Sequence, residues 1–108
     1  MSIVSEKNVS DALAYLAIDP HPIALARKDM TDAENAAKQA WAEAFLAANG
    51  SVEAKKAEAE IATTEHRAEE SEAVLALERH KARVKAAEML IEVWRSENAN
   101  IRAAERVR

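Results

Sequence analysis

The sequence predicts an all-α protein, on three observations. Alanine supplies 26 of the 53 hydrophobic residues, and Ala, Glu, Lys, Arg and Leu together dominate the chain, which is the composition of long helices and coiled coils. Only one glycine and two prolines punctuate 108 residues. Apolar side chains recur every third or fourth position, the period of an amphipathic helix. Leu, Ile, Val and Phe number just 21, few enough to raise disorder, but the net charge of −4 and the scarcity of Gly and Pro argue against it. The expected architecture is one domain, residues 1–108: an antiparallel helical hairpin or coiled-coil-like bundle with a short N-terminal helix and one long C-terminal helix.

Residues 1–8 read as a loose arm. A short helix is expected over 9–18, capped by Asn8 or Ser10 and carrying Val9, Leu13 and Leu16 on one side. The stretch "DPHP", Asp19 to Pro22, ends it, because each proline disfavours helix at the residue before it. Pro22 suits the first position of a second helix, expected over 22–48. Its seam is Ile23, Ala26, Met30, Ala33, Ala37, Ala40, Ala44 and Ala47, widened by Trp41 and Phe45. "TDAE", Thr31 to Glu34, has capping-box spacing and offers an alternative start at Asp32; the seam keeps phase through Thr31, which favours a continuous helix. Asn49-Gly50 is a helix stop, and Ser51 a fresh N-cap.

From Val52 to Val107 there is no Gly or Pro. A single helix of 56 residues would run roughly 84 Å at about 1.5 Å per residue, long for a chain of this size. A break is expected near "ATTEH", Ala62 to His66, since threonines lose rotamer freedom in helices and serve as caps. That gives a short helix over 52–62 and a long one over 66–107, with helix 22–48 folding back along the latter.

"AAEMLIEVWRSENANIRAAERVR", residues 86–108, carries the most information. At about 100° per residue, Lys81, Lys85, Glu88, Glu92 and Arg95 share one narrow polar stripe. Val84, Ala86, Ala87, Met89, Leu90, Ile91, Val93 and Trp94 fill the remaining arc of roughly 220°, whereas one core needs little more than 100° of apolar surface. Two surfaces must therefore cover this arc: the 22–48 helix on one side and, on the other, either the N-terminal helix with Leu13, Tyr15 and Leu16 or a second copy of the long helix. Residues 51–78 carry 3 basic and 8 acidic side chains, net −5, and residues 79–108 carry 8 and 4, net +4. Two long helices crossing antiparallel near Ala87 would set acidic half against basic half, which specifies orientation. A homodimer is expected, with Val84, Ala87, Met89, Leu90, Ile91, Val93, Trp94 and Ile101 as its core and interface residues. Asn98 lies in the same seam, either fixing register or exposed where the bundle frays.

The chain offers little for catalysis. It has no cysteine, hence no disulfide framework and no thiolate site. His21, His66 and His80 do not form the paired Glu-x-x-His pattern of di-iron bundles. No G-x-S-x-G and no glycine-rich phosphate loop occurs, and the carboxylates are spread at helix-surface spacings. No enzyme activity, no cofactor and no small-molecule substrate is expected. The N-terminus lacks the apolar stretch of a signal peptide and nothing approaches a membrane span, so a cytoplasmic protein is expected.

Arg95, Arg102 and Arg106, with Lys81 and Lys85 on nearby turns, form a stripe able to follow a phosphate backbone. The alternative is therefore a DNA- or RNA-binding accessory factor, with single-stranded DNA as the candidate ligand. Against it stand the net negative charge and the scarcity of aromatics for base stacking; Trp41 and Trp94 read as core. The acidic run Glu53 to Glu72 offers a further alternative, mimicry of DNA toward a host nucleic-acid-binding protein.

The closing stretch, preceded by "AWAEAF" and "SVEAKKAEAEI" further back, resembles a group of small helical proteins encoded by tailed bacteriophages and prophages. These end in a similar pattern, an apolar run, IEVWR, a polar segment and N-x-R-A-x-x-R, here Asn100 to Arg106. The likeness covers residues 36–108 loosely and 86–106 well, and leaves out residues 1–28. In that group the genes tend to lie near early-region recombination and replication genes, such as those for single-strand annealing proteins and exonucleases. The resemblance implies a phage accessory protein of DNA recombination or replication in the bacterial cytoplasm, acting on a phage or host protein, and carries over no catalytic residue.

Overall fold

A computed structural model describes residues 4–107. Four helices, and no strand, make up the described residues: α1, Glu6–Leu16; α2, Pro22–Ala47; α3, Val52–Ala62; and α4, Thr64–Val107. The chain is all-α, with a short N-terminal and a long C-terminal helix. It divides into two compact units. One joins the residues up to Pro22 to those from His80 onward, and the other holds Ile23–Arg79. Both units draw on α4.

In the first unit, α1 starts earlier than expected. The Ser5 hydroxyl accepts a hydrogen bond from the Asn8 amide at 3.1 Å, and the extended backbone at Ser5 makes it the N-cap, in place of Asn8 or Ser10. The arm expected over residues 1–8 is thus helical from Glu6, and its first three residues lie outside the described part. The helix closes at Leu16, two residues short of the expected end, as the Ala17 amide donates to Leu13 and the Ile18 amide to Tyr15.

The second unit begins at Ile23, one residue into α2, whose first residue is Pro22. Thr31 does not cap a new helix; its hydroxyl donates back to the Arg27 carbonyl at 3.1 Å, an arrangement open to threonine inside a helix. Exposed pairs Lys28–Asp32 and Lys38–Glu34 bridge one turn at 3.0 Å each. The Asp32 carboxylate, hydrogen-bonded to Lys28, raises the pKa of that amine. Gly50, at φ 108°, takes the left-handed conformation that L side chains resist, and Ser51 caps α3 by accepting from the Ala54 amide at 3.2 Å.

The run from Val52 divides at Thr63, which is 1% exposed. The Thr63 hydroxyl donates to the Ala59 carbonyl at 2.8 Å and that of Thr64 to Ile61 at 2.9 Å. These bonds satisfy carbonyls that a helix end leaves open. The next helix starts at Thr64, two residues before the expected His66. Glu60 ties the junction together: its carboxylate accepts from the Trp41 indole N–H at 3.2 Å and pairs with Arg67 at 2.8 Å, while its carbonyl accepts from Arg67 at 2.7 Å. Trp41 stacks on Phe45 with centroids 5.3 Å apart, so both are half-buried packing residues of this unit rather than a sealed core. Ala26, Ala37, Ala48, Ala59 and Leu77 are its buried apolar side chains.

Candidate interaction surface

The candidate site lies on the part of α4 that belongs to the first unit. Here Val9 and Ala12 of α1 and Ile91 of α4 form a buried cluster. Leu16, Ala87, Leu90, Trp94 and Val4, just before α1, pack against it. The cluster on this arc is built from α1, Val4 and α4, so of the two alternatives expected beside the 22–48 helix, the N-terminal helix is present here; the 22–48 helix belongs to the other unit. The N-terminal helix takes this place because Val9, Ala12 and Leu16 recur at three- and four-residue steps and present one apolar edge.

Tyr15, 7% exposed, closes one end of the contact. Its ring takes the Arg83 guanidinium 4.1 Å from its centroid and the His21 ring edge-on at 4.9 Å. Its hydroxyl is buried and finds no hydrogen-bond partner among the described residues. Shallow grooves run on both flanks of α1, one lined by Leu13, Leu16, Glu88, Ile91, Glu92 and Arg95, the other by Tyr15, Arg83, Ala86 and Leu90 among others. The Arg83–Tyr15 contact was missed in the sequence. The only signal for it was a polar residue, Arg83, set beside the apolar arc.

The eight residues read as one interaction surface separate into two faces. Ile91 is 8% exposed, and Val84, Ala87, Leu90 and Trp94 are half-buried. Met89 and Val93, two residues either side of Ile91 and so about 160° around the helix from it, are 58% and 41% exposed. Ala82 and Ala86 are exposed along the same outer line. Ile101 is also exposed, beyond the last α1 contact. Asn98 is half-buried and donates its side-chain amide to the Trp94 carbonyl at 3.1 Å, so its polarity is satisfied within its own helix.

The basic stripe is less uniform than its arginines suggest. Lys81, Lys85, Arg95, Arg102 and Arg106 are exposed, but Glu88 and Glu92 stand between Lys85 and Arg95 and line the same groove as Arg95. Positive charge is thereby split into a lysine end and an arginine end. Among the described residues no three His, Asp or Glu side chains come together as a metal-holding group. No described helix is long and apolar enough to cross a membrane.

Comparison with known proteins finds no family model, no curated protein and no solved structure that matches this chain.

Proposed function

We propose that this chain is a non-enzymatic accessory protein that works through protein–protein contacts made by α4, with a second copy of itself as the first partner. One observation carries the reading: α1 covers the Ile91 face of α4 and leaves Met89, Val93, Ala82 and Ala86 in solvent. Burying a side chain of the size of Met or Val is worth about 1.5–3 kcal/mol, so a contiguous uncovered line of them marks a contact surface. The resemblance of residues 86–106 to small phage and prophage proteins supports a setting in phage DNA recombination or replication, in the cytoplasm of a bacterial host, with a phage or host protein as further partner.

A second reading, binding of single-stranded DNA, draws on one observation, the exposure of Arg95, Arg102 and Arg106 at the end of α4. Light scattering after size exclusion, at low and high salt and with single-stranded DNA in a parallel run, separates the two. A dimer at both salt concentrations that ignores DNA is the expected result. A monomer that carries DNA only at low salt favours the arginines, and a monomer that ignores DNA overturns self-association.

A further inference from the structure

We infer that α4 pairs with α4 of a second copy in one antiparallel register, about a two-fold axis passing between Ala87 and Glu88. This rests on the reading that the Met89 line is a contact surface, and adds how two copies meet. The line Ala82, Ala86, Met89, Val93, Ser96, Asn100 steps by four, three, four, three and four, the spacing of a heptad seam. Two such seams related by a two-fold axis make a self-complementary contact, in which each residue pair occurs twice.

In the stated register Ala86 faces Met89 of the second copy and Ala82 faces its Val93. Every methyl group meets a larger side chain, so successive layers have similar thickness and the helices approach evenly. On the flank of the seam Lys85 comes beside Glu92 of the second copy, again twice. Neither Lys85 nor Glu92 makes an ion pair among the described residues of its own chain, so both are available to this contact.

The competing registers fail on charge and volume. A slip of one heptad one way sets Lys85 beside Lys85 and buries Arg79 against Met89. A slip the other way sets Glu92 beside Glu92, stacks Met89 on Val93, and leaves Ala86 facing Ser96. A parallel pair in register stacks alanine on alanine and methionine on methionine. It also lays Arg79, Lys81, Arg83 and Lys85 along their own copies, and like charges set side by side are what excludes a pairing. The α1 helix does not compete, since it occupies the Ile91 face about 160° away.

The chain has no cysteine, so single cysteines report the register without background. A82C and V93C chains, mixed and gently oxidised, are expected to cross-link to each other and scarcely to themselves. In this register two copies of position 82 stand eleven residues apart along the axis, about 16 Å, beyond disulfide reach. Self-cross-linking of A82C, or no cross-link in the mixture, overturns the register. In parallel, K85E and E92K chains are each expected to self-associate about tenfold more weakly or worse, to form a heterodimer when mixed, and to regain self-association when both changes share one chain. Both lie outside the α1 cluster, and unchanged circular dichroism confirms the fold. Unchanged self-association of either single variant also overturns the register. A dimeric parent with the wrong cross-links sinks the register and leaves the contact reading standing; a monomeric parent sinks both.

Discussion

The guanidinium of Arg83 lies 4.1 Å from the centroid of the Tyr15 ring, fastening α1 to α4 through a cation placed over a buried aromatic face. With Arg83 itself exposed, a contact of this kind contributes about 0.5–1 kcal/mol. Arg83→Gln is therefore expected to lower stability by that amount, with hydrogen exchange in α1 rising before that in α2. Equal acceleration in α2 would show that the contact does not act locally.

Tyr15 also permits a prediction of the opposite sign. Its buried hydroxyl has no hydrogen-bond partner among the described residues, and leaving such a group unsatisfied costs about 1–3 kcal/mol. Tyr15→Phe should keep the ring contacts and raise stability by about 1 kcal/mol in thermal or denaturant melts. A loss of stability would mean that the hydroxyl is bonded in solution.

Ile91 and Met89 are two residues apart and face opposite ways, and truncation should tell them apart. Ile91→Ala empties the α1 cluster and is expected to cost about 2–5 kcal/mol. Met89→Ala, measured in a dilute sample where chains are separate, should stay within about 0.5 kcal/mol. Comparable losses from the two would place Met89 in a core rather than on a contact line.

At the junction between α3 and α4, Thr63→Val keeps the shape and removes the hydroxyl that bonds the Ala59 carbonyl. The expected loss is about 0.5–1.5 kcal/mol, read by denaturant unfolding. No loss would mean that the α3–α4 junction does not depend on this bond.

For the DNA reading, replacing Arg95, Arg102 and Arg106 together with glutamine removes three potential phosphate contacts. The slope of log affinity against log salt for single-stranded DNA should then flatten by about 2, at roughly 0.7 per contact. Binding that keeps its salt slope after the triple replacement would show that the arginines do not touch phosphates.

How much of this was legible in the sequence differs by element. Composition and the three-to-four spacing specify helix throughout, because they report local propensity and the presence of an apolar face. Gly50 and Ser51 mark their turn because each has a conformational or capping reason to be there. The start of α1 was misplaced because Ser5, Asn8 and Ser10 are all competent caps, and only the fold chooses among them. The excess apolar arc of α4 was visible as an arc. Which helix covers it was not, since an arc states an area to be covered and names no partner. The division of Ile91 from Met89 needs that partner, and so does the meeting of Arg83 with Tyr15.

The alanine core has a consequence for how this chain tolerates change. Among the described residues, five of the nine buried apolar side chains are alanines, Ala12, Ala26, Ala37, Ala48 and Ala59, the last with no exposed surface at all. Truncation, the usual route by which cores lose stability, has little to remove at these positions. Enlargement is the hazard: an added methylene in a closely packed place forces side chains off their rotamers or backbones apart, at about 1–3 kcal/mol. Sequence drift at these five sites is therefore ratcheted in one direction.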